Sequence, residues 1–337
     1  MQPSFSCIPL VAALVFSLSA CSKPATRWEP VDLPGAAGAD LRDAADCAGR
    51  WWVAGGLRAA DGSTRPAAWT GTDAGWRAVE FAPLPSSYYG PLQVITSVAC
   101  ADGRIAMVGA VPGGAHGNPR VSTWRLDGDR MVENAAPFET YGGGTAVDVG
   151  QIEAGPAGFA IAGNRTSGAA AWLSTDGKTY TLFEDAPGLA GDTAARDSIM
   201  LPDGRWALFG SAGEQAAAWV STDGRSWSRS YPPAEEGVTE IQRVVRQGDD
   251  LVAAGIRDSE FALWRWRGGS WSAGATFGGD PAGVRSLTIA GSVPVVAGGG
   301  LWIDGKSTAT PATPVAVAGR GGVLLLVTAD RVWQAVL

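Results

Sequence analysis

Several kinds of chemistry have few residues to support them in this sequence. Its 337 residues include a single histidine, His116, and only four cysteines, which do not cluster. Most zinc and transition-metal centres need several nitrogen or sulfur ligands close together, so no metal site is expected. The chain also lacks a P-loop, a Gly-x-Ser-x-Gly nucleophile elbow and a dinucleotide-binding glycine fingerprint. We therefore assign it no catalytic residue and no cofactor.

Positive charge is also scarce. Lysine and arginine number 26 against 33 aspartates and glutamates, which gives a formal net charge of −7. A general nucleic-acid surface needs an excess of positive charge to meet the phosphate backbone. The composition therefore argues against a nucleic-acid partner and is ordinary for a soluble exported protein.

An apolar run at residues 8–20 is too short to span a membrane as a mature helix. It ends in Leu18-Ser19-Ala20-Cys21, which resembles the bacterial lipobox. The resemblance implies a lipoprotein signal peptide at residues 1–21, acylation of Cys21 and a short linker at residues 22–26. The protein would then be extracytoplasmic and lipid-anchored. Because Ser22, and not an aspartate, follows Cys21, the outer membrane is the expected location in a Gram-negative cell, with the inner membrane as the alternative. The alternative is an ordinary cleaved signal peptide in which Cys21 is incidental.

The sequence does contain a repeated stretch. Residues 170–180 read Ala-Ala-Trp-Leu-Ser-Thr-Asp-Gly-Lys-Thr-Tyr, and residues 217–227 read Ala-Ala-Trp-Val-Ser-Thr-Asp-Gly-Arg-Ser-Trp. Each copy predicts a strand, a tight Asp-Gly turn and a second strand. A hairpin repeated at roughly 40 residues is typical of a propeller. Weaker copies surround other tryptophans, namely Trp69, Trp124, Trp264, Trp302 and Trp333.

The segments at residues 174–180 and 221–227 resemble the Asp-box, or BNR repeat, of sialidase-like propellers. The family form is Ser-x-Asp-x-Gly-x-Thr-Trp, and both segments have one residue fewer between Asp and Gly. In that family the box marks the periphery of a blade, away from the active centre. The resemblance therefore implies that these serines and aspartates stabilise turns and do not catalyse.

We predict an all-β fold, a propeller of about seven four-stranded antiparallel blades that occupies residues 27–337. Residues 28–33 read as an outer strand with no blade before it, whereas residues 315–337 supply three strands and stop. The N-terminal strand should therefore complete the C-terminal blade and leave no free sheet edge. Six or eight blades stay possible because the sixth is short. The complete blades are predicted at residues 41–82, 95–137, 146–187, 195–233, 240–278 and 284–314.

Cys47 and Cys100 occupy equivalent positions in neighbouring repeats. Because an exported compartment is oxidising, we expect a disulfide between adjacent inner strands. Two buried free thiols are the alternative, since the separation of the two Cα atoms is not visible in a sequence.

Loops on the channel face of the first three blades carry one set of candidate ligand-binding residues. Tyrosines on glycine-rich loops offer contact area and a hydroxyl group at modest entropic cost. The alternative is that the loops are solvated and the tyrosines cover blade edges. The candidates are Tyr88, Tyr89, His116, Arg120 and Tyr141.

Four arginines form a second set, because the repeat alignment places Arg42, Arg196, Arg243 and Arg285 near the channel mouth. Several guanidinium groups on one axis would bind a carboxylate or phosphate, and sialidase-like enzymes use three such arginines. The alternative is that Arg42 and Arg196 pair with acids on adjacent strands.

We expect a monomeric, non-catalytic binding or scaffolding module for an envelope protein, peptide or glycan. A divergent sialidase-like glycoside hydrolase is the first alternative. That reading lacks the family's Arg-Ile-Pro context and a recognisable pair of catalytic carboxyl groups. The second alternative is an envelope or complex assembly factor, as in photosystem-assembly propellers that share this repeat style.

Overall fold

The computed structural model of the protein describes residues 26–113, 118–233 and 236–337. The predictions for the signal peptide, for Cys21, for linker residues 22–25 and for His116 therefore fall outside the described residues. Within the described ranges, no helix is long and apolar enough to cross a membrane.

The strands form seven sheets, which confirms the predicted seven-bladed, all-β propeller. In chain order they are β1 (Glu29–Val31) of blade 7; β2 (Ala39–Cys47), β3 (Arg50–Arg58), β4 (Thr64–Thr72) and β5 (Gly75–Ala78) of blade 1; and β6 (Glu80–Ala82), β7 (Val94–Ala101), β8 (Arg104–Val111), β9 (Arg120–Asp127) and β10 (Arg130–Glu133) of blade 2. After a short helix, α1 (Phe138–Tyr141), come β11 (Ala146–Gly155), β12 (Gly158–Arg165), β13 (Gly168–Ser174) and β14 (Thr181–Phe183) of blade 3, and β15 (Thr193–Met200), β16 (Trp206–Ala212), β17 (Gln215–Ser221) and β18 (Ser228–Ser230) of blade 4. The rest are β19 (Thr239–Gln247), β20 (Asp250–Arg257), β21 (Glu260–Arg267) and β22 (Ser270–Phe277) of blade 5; β23 (Ser286–Ala290), β24 (Val293–Ala297), β25 (Leu301–Ile303) and β26 (Lys306–Thr308) of blade 6; and β27 (Ala316–Arg320), β28 (Val323–Val327) and β29 (Val332–Val336) of blade 7.

The N-terminal strand closes the ring as predicted. Strand β1 pairs antiparallel with β29, with Pro30 opposite Trp333 and Val31 opposite Val332. Because β1 is the outermost strand of its sheet, the missing N–H of Pro30 breaks no ladder. The last blade is thus built from both ends of the described chain.

Blade 2 departs from the predicted boundaries. The prediction placed residues 80–82 in blade 1, but β6 pairs in parallel with β10 and makes blade 2 five-stranded. Val79 makes a backbone hydrogen bond to Ala68 of blade 1, and the chain then crosses to the next blade. There the ring of Phe81 packs edge-on against Trp124 at 5.2 Å between centroids. Strand β6 therefore covers the open edge of β10 with an apolar contact.

The repeated tryptophans form the contacts between blades. Each of the first five blades has a tryptophan on its third strand that is at most 1 % exposed. Each packs with buried residues of the preceding blade, and seven such apolar clusters lie one at each contact between neighbouring blades. The equivalent Trp302 and Trp333 are half-buried. The buried tryptophans are Trp69, Trp124, Trp172, Trp219 and Trp264.

The ring has two faces, which we call the upper and the lower face. The upper face is the one from which the chain enters the innermost strand of each blade, and the lower face carries the turn from the innermost to the second strand. On the lower face Cys47 and Cys100 form a disulfide with a Cα separation of 5.7 Å, which joins blade 1 to blade 2. Nearby, Arg320 of blade 7 makes ion pairs with Asp46 and Asp73 of blade 1.

The two Ser-Thr-Asp-Gly turns also lie on the lower face, between the third and fourth strands of blades 3 and 4. The Ser174 hydroxyl oxygen accepts from the Gly177 N–H at 2.9 Å, and Asp176 Oδ1 accepts from the N–H groups of Lys178 and Thr179. The Thr179 hydrogen bond is the largest cause that lowers the pKa of Asp176. Because these side chains are occupied by their own turns, their role here is to stabilise the hairpin.

Candidate functional site

Five of the candidate ligand-binding residues line two cavities. One lies on the upper face above blade 2, between the loops at residues 83–93, 118–122 and 133–142. We call it the blade 2 pocket. The other is the central channel, lined by the innermost strands. Each has a volume of about 320 Å³.

A buried carboxylate holds one wall of the blade 2 pocket. Glu133, at the end of β10, is 3 % exposed. Its Oε2 accepts from the Leu84 N–H at 2.9 Å, and its Oε1 accepts from the hydroxyls of Ser87 and Ser122, both at 2.8 Å. A Cβ at Gly90 would lie 2.1 Å from Oε2, so only glycine fits there. The carboxylate is therefore fully used in folding the loop at residues 83–93 over the blade.

Arg120 supplies the positive charge of the pocket. Its guanidinium carbon lies 4.7 Å from the centre of the Phe138 ring and 5.6 Å from that of Tyr89. Both distances are within the range of cation–π contacts. Among the described residues no carboxylate forms an ion pair with Arg120, and its buried Nε has no hydrogen-bond partner. The side chain is held by aromatic rings and leaves its donors available.

Aromatic side chains make the rim and the floor of the pocket. Tyr88 is 76 % exposed, Phe138 is 56 % exposed, and the rings of Tyr88 and Tyr89 meet edge-on at 4.9 Å. Tyr141 is buried below them, and its hydroxyl lies 3.1 Å from that of Thr123. Burial raises the pKa of Tyr141, so its hydroxyl stays protonated at any physiological pH. The fold thus brings the predicted Tyr88, Tyr89, Arg120 and Tyr141 into one cavity.

The central channel is lined by carboxylates that tie blades together. Asp43 Oδ2 accepts from the Val98 N–H of blade 2 at 2.9 Å, and Asp197 Oδ2 accepts from the Val244 N–H of blade 5 at 2.8 Å. Their other oxygens accept from the next N–H in their own strands. Ser97 makes the same kind of contact with the Ile152 N–H of blade 3. These residues therefore hold neighbouring innermost strands in register.

Glu153 and Arg243 complete the charged lining of the channel. Burial raises the pKa of Asp43 to about 6, while its backbone hydrogen bonds and Arg243 act in the opposite direction. Burial also raises the pKa of Asp197 and, together with its two acidic neighbours, that of Glu153. Arg243 is the cation that offsets this negative charge in all three cases.

Three of the four predicted channel arginines have a partner for the side chain. Arg42 pairs with Asp40 at 2.7 Å, and Arg196 pairs with Glu240 at 2.8 Å. Arg243 donates from Nε to the carbonyl oxygen of Arg285 at 2.8 Å. Arg196 therefore follows the alternative of pairing with an acid on an adjacent strand, whereas Arg42 pairs with an acid of its own strand. The described residues bring the four guanidinium groups to no common anion site.

Several contributors were absent from the candidate list, among them Phe138, Glu133 and Glu153, as well as Asp43 and Asp197, which directly follow the candidates Arg42 and Arg196. Phe138 stood in the same loop as Tyr141, and an aromatic residue directly after Pro137 was the available signal. Glu133 and Glu153 are lone acids in strands and carried no signal in the sequence. Within the described ranges no group of three or more His, Cys, Asp or Glu side chains is arranged to hold a metal ion.

No family model and no curated protein matches the chain. Several solved structures, however, match it. A virginiamycin B lyase from Staphylococcus aureus is 12% identical, with a TM-score of 0.61 over 93% of this chain and 99% of that chain. A chain in the structure of a mitotic checkpoint complex is 12% identical, with a TM-score of 0.58 over 100% and 99%. A Trypanosoma rangeli sialidase is 11% identical, with a TM-score of 0.46 over 88% and 55%. At such identities, the similarity of the first two establishes a shared propeller fold and leaves the function to be argued from the site.

Proposed function

We propose that the protein is a non-catalytic binding module that takes up an envelope protein or peptide on its upper face. The supporting observation is where the exposed apolar side chains lie. Among the described residues, the exposed large hydrophobic side chains lie on upper-face loops or, for Val147, at the upper end of β11, except Val336 and Leu337 at the end of β29. Two of them, Tyr88 and Phe138, lie together at the blade 2 pocket, and an exposed apolar patch beside a cavity is typical of an interaction surface. The upper-face residues are Tyr88, Phe138, Val147, Tyr231 and Val238.

We further propose that Cys21 is acylated and that the anchor fixes the orientation of the ring. Strand β1 runs antiparallel to β29, so the chain enters the propeller at the lower face. An anchor a few residues earlier would hold the lower face toward the membrane and leave the upper face free. Cys21→Ala should move the protein from the membrane fraction to the soluble fraction of the envelope, because the acyl chains that hold it are lost. Unchanged membrane retention in that variant would contradict the anchor.

The binding role predicts that capture of a partner depends on the upper face. The immobilised protein should retain an envelope component, identified by mass spectrometry, and Tyr88→Ser/Phe138→Ser should retain at least about tenfold less. Val336→Ser removes an exposed apolar side chain of the lower face and is the matched control, which should bind like the wild type. No specific capture by the wild type, or equal losses in the two variants, would refute the proposal.

One observation favours glycoside hydrolysis as a second candidate. The channel holds Asp43, Glu153 and Asp197 beside Arg243, which is the kind of grouping that a glycosidase needs. Against it, Asp43 and Asp197 use both carboxylate oxygens in backbone hydrogen bonds. The same preparation should therefore leave a panel of fluorogenic glycosides intact. Turnover that disappears in Glu153→Gln would replace the binding proposal with the enzymatic one.

A further inference from the structure

The positive charge of Arg120 in the blade 2 pocket favours an anionic ligand of a particular shape. Arg120 has no carboxylate partner among the described residues, and its guanidinium is held in cation–π contact with the rings of Tyr89 and Phe138. A fixed guanidinium presents its N–H groups as a planar fork, which matches the two oxygens of a carboxylate. A partly enclosed cation without a counterion also gains more from an incoming anion than an exposed one does.

The group that carries this anion should be apolar. The rest of the wall includes the apolar surfaces of Tyr88, Phe138, Pro119 and Ala136, beside one further hydroxyl, that of Ser86. At about 320 Å³ the cavity is at the small end of the range for ligand sites. It has room for the last residue or two of a chain and not for a folded surface.

The number of free hydrogen-bonding groups in the pocket favours a peptide over a sugar as the ligand. The hydroxyls of Ser87 and Ser122 already donate to Glu133. The Asn134 amide donates to Thr123 and to the Gly177 carbonyl, and its oxygen accepts from Arg125. Of the hydroxyls that line the pocket, those of Ser86, Tyr88 and Tyr89 remain for a ligand, which is too few for the ring hydroxyls of a glycan that lose water on binding. The net charge of −7 also opposes a polyanionic glycan.

We infer that the blade 2 pocket binds the C-terminal carboxylate of a peptide or protein whose last residue is apolar. The carboxylate pairs with Arg120, and the last side chain packs against the aromatic rim of Tyr88 and Phe138. This inference rests on the proposed binding function and names the class of partner that the site takes.

The test uses the full chain and short synthetic peptides that end in leucine, either as the free acid or as the C-terminal amide. Titration calorimetry should show that the amide binds at least about tenfold more weakly than the acid, because the amide cannot pair with Arg120. Arg120→Gln should remove this difference, whereas Arg42→Gln should keep it, since Arg42 lies on the same face but pairs with Asp40. Replacing the last leucine by serine should weaken binding of the acid as well.

Two results would overturn the inference. Equal binding of acid and amide would exclude recognition of the carboxylate, and tighter binding of glucuronic acid than of the peptide acid would favour an acidic glycan. Neither result alone removes the binding function, because loss of capture in Tyr88→Ser/Phe138→Ser would still support it. Failure of the wild type to capture any envelope component would instead remove the function on which the inference rests.

Discussion

Trp172→Ala is expected to lower the free energy of unfolding by about 4 kcal/mol. Trp172 lies on β13 and is fully buried. It packs with Ala106 and Val108 of blade 2 and with Phe159 of its own blade. Alanine would leave a cavity between two blades that neither rigid sheet can fill. Urea denaturation followed by circular dichroism measures the loss.

Trp333→Ala is the matched control, because Trp333 holds the same place in blade 7 but is half-buried and only borders its cluster. We expect it to lose roughly half as much stability, in proportion to the apolar area removed from water. Equal losses at the two positions would show that packing between blades is not what the tryptophans contribute.

Trp172 also connects the repeat to the candidate site. Its indole N–H donates to the carbonyl oxygen of Thr140, which lies in α1 between Phe138 and Tyr141. In blade 1 the indole of Trp69 makes the equivalent bond to the Pro34 carbonyl, in the loop that enters that blade. In blades 1 and 3 the repeated tryptophan thus fixes the upper-face loop of its own blade. The Trp172→Ala variant should therefore bind the peptide acid more weakly even under conditions in which it remains folded.

The ring was predictable from the sequence because its signals are local and repeated. A tryptophan, a strand and an Asp-Gly turn recur in blade after blade, and the unmatched strands at the two ends leave one simple way to pair. Strand β6 was not predictable. Strand β6 pairs with β10 of blade 2, where the ring of Phe81 packs against Trp124. This contact between residues of different repeats exists only in the folded ring, so the local sequence does not indicate it.

Only part of the candidate sites was predictable from the sequence. The β-bulges in the innermost strands explain why the channel residues were misassigned. The innermost strands β2 and β15 shift register at Arg42 and Arg196. An inserted residue reverses the alternation of side chains, so a sequence alignment cannot tell which neighbour faces inward. The fold places Asp43 and Asp197 in the channel lining and leaves Arg42 and Arg196 exposed to meet other acids. In contrast, the blade 2 pocket depends on which loops are neighbours, and blade order alone determines this.

The channel carboxyls make the stability of the ring depend on pH. Their folded-state pKa values are raised by burial, that of Asp43 to about 6 from 3.8. The folded protein therefore holds these protons more tightly than the unfolded chain does. The stability that Asp43 and Asp197 contribute, whose folded-state pKa values are both about 6, is fully present below about pH 4 and is lost as the pH rises through about 6. Arg243 limits this loss because it stabilises the ionised carboxylates of Asp43, Glu153 and Asp197.

Arg243→Met should therefore destabilise the protein by about 3 to 5 kcal/mol at pH 7.5, since it leaves buried negative charge without a counterion. At pH 5 the loss should be about 2 kcal/mol smaller, because the carboxyls are then largely protonated and the main remaining cost is the hydrogen bond to the Arg285 carbonyl.

Arg246→Met is the control, because Arg246 lies on the same strand, is exposed and donates to the Met200 carbonyl outside the acidic group. Its loss should be small and the same at both pH values. Urea denaturation of both variants and the wild type at the two pH values decides the question. A loss for Arg243→Met that does not change with pH would mean that its hydrogen bonds, and not its charge, hold the channel together.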